Sequence, residues 1–92
     1  MSNTALMLTG ELDDRLILSQ ALPIIAEWRD EYVTITAPAL GLRAMGQSPE
    51  DALEDLRATI ADRYHDLNGR GATRVPSADA EFASLQEYVA ER

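Results

Sequence analysis

The chain has no cysteine. That absence excludes a disulfide scaffold, thiolate metal sites and a thiol nucleophile, and it fits a protein of the reducing cytoplasm. Histidine is almost missing too. His65 stands alone, so no His/Cys metal set can be assembled. Positive charge is scarce: 8 Lys+Arg face 16 Asp+Glu, for a formal net charge of -8. The pI is about 4.4. Phosphate backbones are held by clustered cations, so this balance argues against unaided nucleic-acid binding and for a partner that is itself basic. Long apolar runs are lacking as well. The longest nearly uncharged stretch, Leu16 to Ala26, is too short to span a bilayer and is interrupted by Pro23. Met1 to Glu11 has neither the basic start nor the apolar centre of a secretory leader. No membrane association is expected. There is no internal repeat and no low-complexity tract.

What is present is one ordinary globular domain. Ninety-two residues exclude a multidomain enzyme, and 46% hydrophobic with 26% charged residues excludes wholesale disorder. At this size roughly two-thirds of the extended-chain surface is buried on folding, enough for one modest core. The whole chain, 1–92, reads as a single domain with its core in about 15–67 and a C-terminal loop and helix in 68–92.

Thr4 to Leu8 is short and apolar, ends at Gly10, and reads as a strand. Leu16-Ile17-Leu18 resumes after the Asp13-Asp14 break, and the two pieces suggest a hairpin. Whether Met1 to Ser19 adds its strand in cis or reaches to a neighbouring subunit is open. Leu22, Ile24, Ala26 and Trp28 alternate with Pro23, Ile25 and Glu27, the period-2 signature of a strand. After the polar Arg29-Asp30-Glu31 comes Tyr32-Val33-Thr34-Ile35-Thr36, rich in β-branched residues, with Val33 and Ile35 sharing a face. These two segments predict an antiparallel hairpin. Thr34 and Thr36 then form an exposed or dimer-pairing strand face. Pro38 ends or kinks the second strand, and Leu40 to Met45 is a third extended piece.

Ser48-Pro49-Glu50-Asp51 starts a helix: Ser48 as N-cap, Pro49 where a missing N–H costs nothing, and two acids at the positive end of the dipole. Leu53, Leu56, Ile60, Tyr64 and Leu67 make one stripe, and Asn68-Gly69 reads as the stop, so the helix is predicted over about Pro49 to Leu67. Ser77 can cap a second helix from Ala78 to about Ala90, with Phe82, Leu85 and Val89 on its apolar side. Strands followed by a long and a short helix define an α+β fold: a small antiparallel sheet of three to four strands, one face covered by the long helix. The other face or the free edge needs cover, and a second copy of the chain is the simplest supplier, which predicts a homodimer or higher homo-oligomer.

The stretch Leu22 to Leu67 resembles the HicB antitoxin family. The resemblance is carried by Leu22-Pro23-Ile24-Ile25, Glu31-Tyr32-Val33-Thr34-Ile35, the turn Pro38-Ala39-Leu40-Gly41, and Gly46-Gln47-Ser48-Pro49-Glu50-Asp51-Ala52-Leu53-Glu54-Asp55-Leu56. The family usually has Asp-Leu-Pro-Gly at the turn, where this chain has Ala37-Pro38-Ala39-Leu40-Gly41. The resemblance implies a truncated ribonuclease-H-like domain without ribonuclease activity, dimerisation, and tight binding to a small basic HicA-like toxin that cleaves RNA. Many members add a C-terminal DNA-binding module. Here Gly69 to Arg92 holds one short helix segment with Asp79, Glu81, Glu87 and Glu91, the wrong sign for phosphate, so direct DNA binding is not expected.

Asp51, Asp55, Asp62 and Asp66 lie in one sector of the long helix, opposite its apolar stripe. Asp51–Asp55 and Asp62–Asp66 are like-charge pairs, each costing about 0.2–0.5 kcal/mol in an isolated helix. The face is either a solvated surface or a field aimed at a cationic partner. Trp28, the sole Trp, is either a core or edge-covering aromatic or an interface anchor. These five residues are the candidate partner-binding set. His65 should face solvent, Ser48 serves as a cap and Tyr64 as core, and Asp13-Asp14 makes a turn. Arg70 and Arg74 flank a loop and are too few to offset the charge. A carboxylate-based hydrolase would have to draw on Asp13, Asp14, Asp30 and Glu31. The expectation is no catalytic site, no metal and no cofactor. The chain is then an antitoxin-like binder, or alternatively an orphan homo-oligomeric domain of the same fold with a non-toxin partner.

Overall fold

The computed structural model describes residues 2–92. Its elements are β1 (Ser2–Leu8), β2 (Leu16–Leu18), β3 (Leu22–Trp28), β4 (Val33–Ala37), β5 (Leu42–Gly46), α1 (Pro49–Arg70), a 3-10 turn (Gly71–Thr73), α2 (Pro76–Tyr88) and β6 (Val89–Glu91). The fold is α+β. A four-stranded antiparallel sheet in the order β1-β3-β4-β5 forms one layer, and α1 crosses one face of it, over β5 and β4. The period-2 patterning of β3 decides which face: Leu22, Ile24 and Ala26 are buried, and Pro23 and Ile25 are exposed. Ala26, Ile35 and Ala44 stand in register across three strands, all buried beneath the helix layer.

The β3–β4 hairpin forms as its sequence predicts, with Trp28 opposite Val33. Thr34 departs from expectation. It is only 7% exposed, because β4 is interior to the sheet and Glu27 and Met45 flank it from the strands on either side. The N-terminal hairpin is also corrected. β1 pairs with β3 in cis, from Ser2 opposite Trp28 to Leu8 opposite Leu22, while β2 pairs with β6 at the other end of the chain. Between β1 and β2 only a tight turn remains, closed by Leu12 N–H donating to Leu16 O at 2.9 Å and Leu18 N–H to Gly10 O at 2.9 Å. Long-range pairing outweighs the short connection because β3 offers seven matched residues to β1.

α1 starts where expected. Ser48 is extended and its Oγ accepts from Asp51 N–H at 3.2 Å, with Pro49 in the first turn. Its end is later than Leu67. The helix runs through Asn68 and Gly69 to Arg70 and stops at Gly71, whose φ of 54° is left-handed. The extension is held by side chains: Arg74 Nη1 donates to Leu67 O at 2.8 Å and Thr73 Oγ1 to Arg70 O at 2.6 Å, satisfying carbonyls a helix end leaves free. α2 begins at Pro76, not Ala78, with Val75 at the cap and no side-chain cap bond, so Ser77 does not serve there. It ends at Tyr88, and Ala90 lies in β6 opposite Ile17. Leu8, Leu12, Leu16, Leu18, Phe82, Leu85 and Val89 join the sheet and α1 in one buried cluster. Among the described residues no helix is long and apolar enough to cross a membrane.

Candidate protein-docking surface

The strand register and α1 divide the molecule into two ends. At one, β3 finishes at Trp28, β4 begins at Val33, β5 finishes at Gly46 and α1 sets off. Gly46 is pressed so closely on the helix start that a Cβ there would sit 2.4 Å from the Ala52 amide nitrogen. Only glycine permits this approach. It fixes the first turns of α1 against the sheet end that carries Trp28. The other end holds the last turns of α1, the β1–β2 turn and the start of α2.

The Trp28 end combines exposed aromatics with unpaired acids. Trp28 is 37% exposed and Tyr32 42% exposed, on either side of the Arg29-Asp30-Glu31 turn. Arg29 pairs with Glu27 at 3.1 Å. Glu50, Asp51, Glu54 and Asp55 occupy the first two turns of α1, with no ion pair among the described residues. Asp30 and Glu31 are likewise exposed and unpaired.

At the opposite end arginines engage Asp66, Asp79 and Glu81. Arg63 grips Glu81 through two bonds, Nε to Oε1 at 2.7 Å and Nη2 to Oε2 at 2.6 Å, and also meets Asp66 at 3.6 Å. The Arg63 hydrogen bonds hold the Glu81 carboxyl below the usual glutamate range, against burial that acts the other way. Arg70 reaches Asp66 at 2.9 Å. Arg74 bonds Asp79 at 2.7 Å, and its guanidinium lies 4.4 Å from the centroid of the Phe82 ring, which in turn packs on Tyr64. Asp13 accepts from the N–H groups of Arg15 and Leu16, each at 2.8 Å, and pairs with His65 Nε2 at 2.8 Å. The Arg15 amide first and His65 second pull its carboxyl below the usual aspartate range. His65 is exposed as expected, but it has a role: it pins the β1–β2 turn to α1.

The five predicted residues are therefore split. Asp51, Asp55 and Trp28 share one end. Asp62 and Asp66 lie on the same helix stripe about 16 Å further along the axis. Asp66 is bridged by Arg63 and Arg70, which removes the like-charge cost expected against Asp62. Thr59, Asp62, Arg63 and Asp66 border only a shallow open depression. Sequence reading missed Tyr32, Glu50 and Glu54. Their signal was present, since Glu50 and Glu54 neighbour Asp51 and Asp55, but it took the fold to place the Tyr32 turn beside the helix start.

The carboxylates needed for hydrolysis do not converge. Asp13 and Asp14 follow the Leu8 end of β1, while Asp30 and Glu31 follow the Trp28 end of β3. A seven-residue strand, about 20 Å, lies between. Among the described residues, no group of three or more His, Asp or Glu side chains could hold a metal ion. No family model, curated protein or solved structure matches the chain.

Proposed function

We propose that the protein is an antitoxin-like inhibitor that masks a small, basic, HicA-like ribonuclease in the cytoplasm by protein–protein contact, with no catalysis of its own. The observation that carries this reading is the coincidence of Trp28 and Tyr32 with Asp30, Glu31, Glu50, Asp51, Glu54 and Asp55 at one end of the domain. Large amphipathic rings supply buried area at little entropic cost, and an uncompensated acidic rim steers a cationic client and penalises an acidic one. The HicB-like order of strands, turn and capped acidic helix supports the same class of partner. Arg57, Arg63, Arg70 and Arg74 are engaged within the chain, which leaves little positive surface for DNA.

The test is co-expression with the neighbouring gene product, followed by an RNA-cleavage assay. The wild-type chain should form a stable complex and suppress cleavage. Trp28→Ala should weaken binding about thirty-fold or more, and Asp51→Lys with Asp55→Lys should slow association, whereas Asp66→Asn should change little. A neighbour that is no toxin, with no basic ribonuclease bound, removes the proposal.

A second reading, an orphan interaction domain that mainly associates with itself, is favoured by the bare outer strand β1. Recovery of a non-toxin partner, or of the chain alone, in a pull-down would support it.

A further inference from the structure

β1 is an outer strand, buried at its Leu8 end and uncovered before it. It pairs with β3 on one side, and among the described residues its other side meets no strand. Asn3, Thr4, Ala5, Leu6 and Met7 are all exposed, so both faces of the strand are open along most of its length. Leu6 belongs to the face that buries Leu8, Ile24 and Ala26, yet it is 41% exposed, and Met7 on the opposite face is 58% exposed. The helix layer lies over β5 and β4 and leaves this margin uncovered. The two edges of the sheet differ. β5 carries Arg43 and is overlaid by α1, whereas Ser2–Leu8 contains no charge, no proline and no glycine. Natural edge strands are normally blunted by such devices, and an unblunted one is a template for strand addition.

We infer that two copies of the chain join through β1, antiparallel and about a two-fold axis near Ala5–Leu6, into one continuous eight-stranded sheet with both α1 helices on the same side. Charge selects the occupant. At a net charge of -8, copies repel one another over most of their surfaces. An uncharged strand is a seam at which they can meet, and it gives a basic client no electrostatic reason to prefer it. The strand is self-complementary in the sense a two-fold requires: each copy offers the other the same row of free N–H and C=O groups, and Leu6 of each gains cover from the other. The inference does not depend on the toxin reading: β1 reaches the Trp28 end only through Ser2 and Asn3, and the seam is centred further along the strand at Ala5–Leu6.

The experiment is sedimentation equilibrium on the full chain across a concentration series, at low and high salt. The expected mass is twice the 10.1 kDa of the chain. Added salt should tighten the dimer by screening its repulsion, the opposite of its effect on binding a basic client. Leu6→Lys with Met7→Lys, at positions already exposed, should halve the mass with the circular dichroism unchanged. If that variant fails to fold, the absence of native cysteine allows single spin labels at Ala5→Cys and Met45→Cys, and the inter-copy distance should be short at position 5 and long at position 45. A monomer at every concentration, a dimer that the lysines leave intact, a dimer weakened by salt, or the shorter distance at position 45 would each overturn the inference.

Discussion

The acids gathered at the two ends of α1 meet different fates. Toward the Trp28 end, Asp30, Glu31, Glu50, Asp51, Glu54 and Asp55 have no ion pair among the described residues; around Leu67, guanidiniums from α1 and the α1–α2 connection hold Asp66, Asp79 and Glu81 in pairs. Every basic side chain apart from His65 is arginine, whose planar fork suits fixed pairing. The lesson is that a uniform acidic composition becomes a polarised field through the placement of a few arginines. At one end the acids stay open to solvent, and at the other they hold the second helix down. The ends are also secured by different physics: close backbone approach at Gly46, and capping plus ion pairing at Arg74.

The strongest way to break that contrast is Gly46→Ala. The added methyl meets the Ala52 backbone, which cannot rotate away, so the helix start must lift from the sheet. A loss of about 2–3 kcal/mol is expected in urea denaturation, with Trp28 fluorescence reporting the change at its own end. Next is Arg74→Ala, which frees the Leu67 carbonyl, the Asp79 carboxylate and the Phe82 ring face together. It should cost about 1–2 kcal/mol, and amide exchange should accelerate in α2 while the Trp28 end stays protected.

Acid should act on the arginine-clamped end first. Glu81 and Asp13 both have folded-state pKa values depressed below their ordinary ones. Their stabilisation is complete above the ordinary carboxylate range and is lost as pH falls through the lower folded values, so melting temperature should drop below about pH 5. The Arg63–Glu81 pair is partly exposed, so its share should stay under about 1 kcal/mol, and Glu81→Gln should flatten that part of the profile. The smallest effect is the sharpest comparison. Asp55→Asn and Asp62→Asn should each alter stability by less than about 0.5 kcal/mol. Their effects on association with a basic client should nevertheless diverge, with Asp55→Asn slowing it and Asp62→Asn leaving it nearly unchanged. Equal slowing by both would mean that the whole helix face, and not one end, meets the partner.

Much of the fold was legible in local pattern. β3 followed from alternation before a polar break, β4 was placed one residue early at Tyr32–Thr36 against the observed Val33–Ala37, and the α1 start followed from Ser48, Pro49 and the acids after them. Each is a signal written within a few residues. The misses have separate causes. Asn68-Gly69 looked like a stop because either residue tolerates a left-handed turn, but Arg74 and Thr73 reach back to keep the next carbonyls satisfied. Ser77 looked like a cap, but Pro76 had already begun the helix. The end of α2 was lost because Val89 continues an apolar helical spacing while its backbone is claimed by β2. The candidate site was half visible: acids could be assigned to a helix face, but which of them had partners could not.

Local pattern and composition were enough for the class of fold, the strand–hairpin–helix order and the sign of the molecule's field, because periodicity, capping and net charge are local or additive properties. Only the tertiary fold decides that β1 joins β3, that β2 pairs with β6, and that Asp51 and Asp55 lie toward the sheet end that carries Trp28 while Asp66 is bridged by arginines. Those outcomes depend on which residues distant in the chain come within a few ångströms of one another, and pairing and charge screening both fall off steeply with distance.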